Sequence, residues 1–446
     1  MQNTFSIGGV HPNDYKQYSA HKAIIEVPLP KSAIIPIVQH IGAPAEVVVE
    51  KGQKVKVGDL LAKANGFVSA NVHSSVSGTV AKIDTILDAW GLKMPAIFID
   101  VEGDEWNESI DRSATVISEC NLDSKQIIDK ITQAGIVGLG GACFPTHVKL
   151  MPPPDKKAEV LVVNGVECEP YLTCDHQLML EHGEEIMVGI KILMKALNIN
   201  KAIIGIEKNK PDAIAKMQEL ASKVDGVEVR ALKLKYPQGG EKQLIDACIG
   251  RQVPSGALPI EVGAVVDNVA TIFAVYEAVQ KNKPLISRVV TITGKSVQKP
   301  GNYHVRFGTP LNELIELAGG VPADTGKIIG GGPMMGRAMS NINMPSNKRV
   351  SGLLFLQESE SRRIAPQECI RCAKCLDACP MGLEPYLLAK FSESQMWDKM
   401  EQHDIMDCIE CGCCQFTCPS YRPLLDYVRF GKFKVGGIIR ARQTKK

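Results

Sequence analysis

Cys369-Ile-Arg-Cys372-Ala-Lys-Cys375-Leu-Asp-Ala-Cys379-Pro380 is followed by Cys408-Ile-Glu-Cys411-Gly-Cys413-Cys414-Gln-Phe-Thr-Cys418-Pro419, and both runs keep the spacing C-x-x-C-x-x-C-x-x-x-C-P. Three thiolates, each three residues after the last, let a tight loop wrap three corners of an iron–sulfur cube while its amides face the sulfurs. The fourth corner comes from elsewhere, and in two-cluster proteins of this spacing the fourth cysteine of each run serves the other run's cluster. One [4Fe-4S] cluster is therefore assigned to Cys369, Cys372, Cys375 and Cys418, and the second to Cys408, Cys411, Cys414 and Cys379. A pair of structural zinc sites is the alternative. Zinc prefers two C-x-x-C knuckles or Cys/His mixtures, and a third cysteine at each knuckle would be left over. Cys413 fits neither set and reads as a bystander. The expected task is electron transfer.

The chain has 446 residues, enough for about three or four domains. Its net charge of +2 provides no strong field to steer nucleic acid or acidic substrates, so that class of partner ranks low. Residues 1–12 lack the basic and apolar regions of a secretory signal. No stretch reaches the roughly eighteen uninterrupted apolar residues of a spanning helix; the best candidate, residues 259–279, contains Glu261, Asp267 and Asn268. Fourteen cysteines, eight of them in cluster spacing, fit a reducing compartment better than a disulfide scaffold.

Residues 1–110 read as an all-β unit, with short alternating strands from Lys31 to Ile83 and glycines at the corners. The phrase running from Val49 to Leu61, followed by Ser74-Ser-Val-Ser-Gly-Thr-Val80, resembles the biotinyl/lipoyl barrel-sandwich fold. Such domains carry their cofactor on a hairpin lysine, whereas residues 65–70 read Asn-Gly-Phe-Val-Ser-Ala, so a scaffold is expected instead of a swinging arm. Residues 111–285 alternate helix and strand, the pattern of a parallel α/β sheet. Helix is expected from Ser124 to Ala134, strand from Glu159 to Val163, one long helix from Gln177 to Leu197, strand from Lys201 to Ile206, helix from Pro211 to Ala221 and strand from Val227 to Leu234. Residues 286–358 suggest a β-grasp unit, similar to the soluble-ligand-binding family, acting as a ligand site or as a docking spacer. Residues 359–423 hold the clusters. Residues 424–446, with Arg429, Lys432, Lys434, Arg440, Arg442, Lys445 and Lys446, read as a basic, solvated tail, with docking to a membrane partner or anionic lipid as the alternative.

A second chemical centre is signalled by Gly138-Leu-Gly140-Gly141-Ala-Cys143-Phe144-Pro-Thr146 between two helices, where glycines can bring amides close to a phosphate. Just after the expected buried strand comes Asn164-Gly-Val-Glu167-Cys-Glu169-Pro170, which places carboxylates beyond the carboxyl ends of a parallel sheet, where ligands sit. An ordinary turn with solvated glutamates is the bland reading of that segment alone.

Together with Lys149, Gly239-Gly240-Glu241 and Asp267-Asn268-Val-Ala-Thr271, these phrases occur in the same order as the flavin-binding motifs of the NADH-oxidising subunit of respiratory complex I, which they resemble. That resemblance implies that Gly138, Gly140, Gly141, Lys149, Asn164, Glu167, Gly240, Glu241, Asn268 and Thr271 hold FMN, with Phe144 and Glu169 facing the nicotinamide of NAD(H). Lys242 stands where that family has a second Glu that contacts NADH, and Cys143 where it has Gly. With Phe5-Ser-Ile-Gly8-Gly9-Val10-His11-Pro12 and Gln39-His-Ile-Gly-Ala-Pro44, the chain to about residue 423 resembles the C subunits of Rnf complexes, the ion-translocating ferredoxin:NAD oxidoreductases. That resemblance implies a peripheral subunit on the cytoplasmic face of the bacterial membrane. It would exchange electrons between NAD(H), FMN and two [4Fe-4S] clusters and relay them to the other subunits, with no acid or base side chain in the chemistry. A soluble flavin/iron–sulfur cobalamin reductase and a non-enzymatic electron-transfer adaptor are the alternatives. The A subunit of the sodium-translocating NADH:quinone reductase lacks such cysteine runs.

Overall fold

The computed structural model describes residues 3–444. Its N-terminal sandwich pairs a four-stranded antiparallel sheet, ordered Ser32–Pro36, Lys93–Val101, Gly78–Leu87, Lys54–Val55, with a three-stranded one of Glu46–Val47, Leu60–Lys63 and Val72–His73. Ala33, Ile35, Val55, Leu61, Val80, Ile97 and Ile99 fill the space between, and the period-2 alternation in residues 32–36 puts one face of that strand inside. The hairpin tip does not swing. Its Phe67 carbonyl is 3.0 Å from His147 Nε2, and the nearby Ile41 N–H donates to the Cys143 carbonyl at 3.1 Å, so the sandwich leans on the glycine-rich loop.

The middle of the chain is a four-stranded parallel sheet in the order Val227–Leu232, Ala202–Glu207, Val160–Asn164, Ala264–Asn268. Three of the strands are buried on both faces because helices cover both, as a parallel sheet requires, while the edge strand Val227–Leu232 exposes Glu228. Ser124–Gln133, Gly183–Leu197, Pro211–Ala221 and Val269–Lys281 pack on one face, and Glu241–Ile249 on the other. Asp123 closes a capping box with Gln126 at the first of these helices. The single helix expected over residues 177–197 is two, Cys174–Glu181 and Gly183–Leu197. His182 leaves the helical region at φ −121° and ψ 30°, its ring paired with Glu185 and packed on Phe273.

Strand order reverses between Val160–Asn164 and Ala264–Asn268, where Asn164 and Asn268 are register partners at the carboxyl ends. That reversal opens the crevice in which open α/β sheets bind ligands.

The third unit is a six-stranded mixed sheet with the helix Leu311–Leu317, and its edge strand is Ile25–Glu26, paired with Gly301–Arg306. Residues 3–28 thus leave the sandwich and serve the other domains. Gly9 N–H donates to the Ala378 carbonyl, and Val10 exchanges two backbone hydrogen bonds with Tyr236. Gly8, at φ +67°, lies so close that a Cβ would fall 2.4 Å from the Cys379 carbonyl oxygen. Only glycine fits there.

Residues expected as a solvated tail instead form a helix, Leu424–Thr444, laid on Pro385–Glu393 and Trp397–Gln402. Leu424, Leu425, Val428 and Val435 are buried at helical spacing, and Gly431 sits against Met400. The basic residues are largely paired: Arg429 with Glu410 at 3.1 Å and Arg442 with Glu401 at 2.7 Å, while Lys432 donates to the Cys408 carbonyl. Counting charges had hidden this apolar stripe. Lys445 and Lys446 lie outside the described residues.

Candidate flavin and iron–sulfur sites

Both cysteine runs take the same backbone path. Arg371 and Ala373 in the first, and Glu410 and Gly412 in the second, stand two and four residues after the leading cysteine with positive φ, between 54° and 81°. Each loop then opens a one-turn helix, Lys374–Asp377 or Cys413–Phe416. The left-handed residues fold the chain back so that successive thiols point inward, which is what wrapping a cube demands.

The sulfurs fall into two groups. Burial pushes the Cys408 thiol up to about 12, and the neighbouring sulfurs of Cys411 and Cys379 add to the rise. Cys414 is raised first by burial and then by Cys411, Cys408 and Cys379. In the other group burial raises Cys375, helped by Cys418 and Cys369. Cys379 is thus with the second run and Cys418 with the first. Cys372, exposed, lies in the same loop as Cys369 and Cys375.

The second-run group lines a pocket of about 390 Å³, its mouth included, walled otherwise by Pro380, Met381, Leu383, Leu388, Ile409, Leu425 and Val428. Backbone N–H groups of Leu383 and Glu410 reach Cys379 Sγ at 3.4 Å and Cys408 Sγ at 3.3 Å. Four thiols, amide donors and an apolar wall are the donor set of an iron–sulfur cluster. Cys413 is buried beside this pocket, with its Sγ 3.7 Å from the Tyr236 carbonyl.

At the crevice of the parallel sheet, three domains brace the glycine-rich loop. Leu139 N–H donates to Thr271 Oγ1 at 2.8 Å, Arg288 Nη2 from the β-grasp unit donates to the Leu139 carbonyl at 3.1 Å, and Ile41 from the sandwich holds Cys143. Cys143 itself adopts φ +52°, the physical reason a glycine suits that position. Gly140, Gly141 and Ala142 project as an exposed crest whose amides bond to nothing among the described residues. Gly140 lies over Asn268, where a Cβ would come within 3.2 Å of that side chain. Such a run of free amides suits a phosphate.

Most expected side chains here hold the frame itself. Asn164 Nδ2 donates to the Gly239 carbonyl, Asn268 caps the helix Val269–Lys281 and donates to Asp175, and Glu167 accepts from the Asp175 N–H at 2.8 Å. Lys149 reaches the Val266 carbonyl at 2.7 Å and Glu241 at 3.4 Å. Gly138 is locked in the loop by Phe144, whose carbonyl takes its N–H, and Gly240 starts the helix Glu241–Ile249. Lys242 donates to the Pro254 carbonyl of its own domain. The oxygens of Glu169, the residue expected at the nicotinamide, accept from Met334 N–H, Met335 N–H and Tyr236 OH.

Three residues were not singled out by sequence reading. Lys16, buried, donates to the carbonyls of Glu167, Glu169 and Leu172 at 2.9, 3.1 and 2.6 Å. Lys210, fully buried and pushed down to about 8 by burial, donates to the Val166 carbonyl. Pro at the next position marks only a helix start. Asp267 is 2% exposed, and neither carboxylate oxygen accepts a hydrogen bond among the described residues, with Lys149 3.8 Å away. A buried acceptor left unmatched is costly, so a ligand bringing hydroxyl or ring N–H donors fits the crevice.

Burial pushes Asp267 up to about 6, with Lys149 pulling it back. The sign follows: the ligand-free fold holds this proton more tightly than the unfolded chain does, so the group stabilises that fold as pH falls through about 6. A donor-rich ligand needs the carboxylate, and the proton competes with it. Flavin retention should weaken as pH drops below about 6, approaching about tenfold per pH unit. Asp267→Asn should remove that dependence, measured as released flavin fluorescence with the fold followed by circular dichroism.

Comparison with known proteins finds four family models along the chain. Residues 131–277 match the Nuo51 FMN-binding domain, residues 4–104 the RnfC barrel sandwich hybrid domain, residues 289–338 the SLBB domain and residues 361–419 a 4Fe-4S dicluster domain. The C subunit of the proton-translocating ferredoxin:NAD(+) oxidoreductase complex of Clostridium ljungdahlii is 47% identical over 427 residues, covering 95% of this chain and 93% of that protein. Its counterpart in the Na(+)-translocating complex of Acetobacterium woodii is 42% identical, covering 96% of each. The C subunit of an ion-translocating oxidoreductase complex of Haemophilus influenzae is 40% identical over 96% of this chain and 52% of its own length.

Proposed function

The chain belongs to the C-subunit family of ion-translocating ferredoxin:NAD(+) oxidoreductase complexes, and from that premise we propose how its own residues serve the activity. It is an electron-transfer subunit of such a complex, an NADH-linked oxidoreductase component that works with FMN, two [4Fe-4S] clusters and a nicotinamide nucleotide. A bound flavin exchanges electrons in pairs with nicotinamide and singly with iron–sulfur clusters.

The amides of Gly140, Gly141 and Ala142 receive the flavin's phosphate, and Lys149 adds positive charge beside them. Asp267 accepts from its donors. Asn164, Glu167, Gly240, Glu241, Asn268 and Thr271 keep the crevice in shape, and Phe144 leaves room at its edge for the nicotinamide. Cys369, Cys372, Cys375 and Cys418 hold one cluster, and Cys408, Cys411, Cys414 and Cys379 the other.

The observation that carries the relay is a set of contacts that run, among the described residues, from the flavin domain to one cysteine group. Tyr236 OH reaches the Cys411 carbonyl at 2.9 Å, and Gln243 Nε2 reaches the Pro380 carbonyl at 3.2 Å. The Cys379/408/411/414 group is therefore the inner station, and the group with the exposed Cys372 the outer one. Electrons pass between them to the other subunits of the complex. No helix among the described residues is long and apolar enough to cross a membrane, and we place this subunit peripherally on the cytoplasmic side of the bacterial membrane.

Oxygen-free protein should contain flavin and two four-iron clusters, and NADH should bleach the flavin before cluster signals appear by electron paramagnetic resonance. Zinc in place of iron, or flavin that NADH leaves oxidised, would sink this reading.

A further inference from the structure

We propose that Tyr236 and Glu169 form a positioning pair that fixes the inner cluster loop against the flavin domain and sets how readily that cluster takes an electron. The inference rests on the inner and outer assignment above and extends it to residues between the two sites. Tyr236 is 2% exposed, and its backbone is paired on both sides with Val10. Its hydroxyl lies 2.9 Å from the carbonyl of the ligand Cys411 and 3.2 Å from Glu169 Oε1, so one hydrogen serves two acceptors. Burial raises the Glu169 carboxyl above its ordinary value, and three donors around its oxygens, from Met334, Met335 and Tyr236, pull it back toward the ionised form.

The clamp continues on the far side of the carboxylate. The Met335 carbonyl accepts from Arg429 at 2.8 Å, and Arg429 also holds Glu410 within the cysteine loop at 3.1 Å. The Met334 carbonyl abuts Gly412, where a Cβ would sit only 2.9 Å away. Glu169 thus joins flavin domain, β-grasp unit and cluster loop at one point.

The two members act on the cluster with opposite signs. A hydroxyl dipole aimed at a ligand residue's carbonyl favours an arriving negative charge, and a nearby carboxylate opposes it. Tyr236→Phe removes the dipole and should make the inner cluster harder to reduce. Glu169→Gln removes the negative charge and should make it easier. Each change should alter the equilibrium for its reduction a few-fold to about tenfold, the scale of one hydrogen bond.

The test is a potentiometric titration of the full chain, purified without oxygen, reading both cluster signals by electron paramagnetic resonance beside flavin content. Opposite shifts of one signal, with the other signal and the flavin content unchanged, are expected. A purely mechanical role would lower occupancy in both variants and give no sign reversal, which overturns the proposal. Unchanged potentials in both variants overturn it while leaving the functional reading intact; a wild-type chain whose clusters NADH cannot reduce removes that reading first. Should Tyr236→Phe shed its inner cluster, Glu169→Gln decides alone by the direction of its shift.

Discussion

Cys418→Ser will abolish the same cluster signal as Cys369→Ser, and Cys379→Ser the same signal as Cys408→Ser, although each pair spans both cysteine runs. The expectation rests on the grouping of sulfurs, in which Cys375 feels Cys418 and Cys369 while Cys408 and Cys414 feel Cys379. A serine oxygen is a poor substitute for a thiolate on iron, so loss of the affected cluster should be near complete. Flavin bleaching by NADH should survive all four changes, because none of these cysteines lines the sheet crevice. Losing the inner cluster should stop reduction of the outer one, whereas losing the outer should leave the inner reducible. Each run holding its own cluster would appear as the opposite pairing, with Cys379→Ser and Cys369→Ser erasing one common signal.

Lys16→Met should be the most damaging single change outside the cysteines. Its ammonium satisfies three carbonyls of the 167–172 turn and stands 3.9 Å from the Glu167 carboxylate, all in a buried position. Methionine keeps an unbranched stem one atom shorter and removes every donor. Breaking a buried charge pair in this way costs about 3–5 kcal/mol. The turn carries Glu167, which caps the helix Cys174–Glu181 from beside the flavin crevice, and Glu169, which holds the cluster seam. Flavin should therefore be lost on gel filtration and the thermal transition should fall, while Lys16→Arg keeps part of both. Retention of flavin with an unchanged melting profile would show that water replaces the ammonium at little cost.

The cysteine spacing made the cluster domain legible because metal ligation constrains sequence locally, loop by loop. The same spacing carries the expectation of a crossed fourth ligand, which the serine variants above test. Strand and helix order in the flavin domain was readable from apolar periodicity as far as Leu232, apart from the break at His182, whose ring packs on Phe273 of a distant helix, but the helix Glu241–Ile249, the strand Ala264–Asn268 and the helix Val269–Lys281 were not read. The basic helix Leu424–Thr444 was misjudged because its charges outnumber its stripe of buried leucines and valines, and only packing shows where its lysines and arginines point.

At the flavin crevice the motif residues were visible but their roles were not. Thr271 ties down Leu139, and Asn268 caps a helix, whereas the unmatched acceptor is the neighbouring Asp267. Lys16 escaped attention because nothing around it in sequence resembles a motif; its partners are about 150 residues away. Long-range partnership of that kind leaves no local trace.

The placement of Gly8, Gly9 and Val10 has a consequence for biogenesis. Gly8 and Gly9 rest on the carbonyls of Cys379 and Ala378, which are synthesised some 370 residues after them. At about 5–20 residues per second, the amino-terminal strap must wait on the order of tens of seconds for its seat. Val10 can pair with Tyr236 earlier, but Gly8 and Gly9 settle only once the inner metal-binding loop exists, so that last contact acts as a late seal. An affinity tag fused ahead of Phe5 would burden that seal.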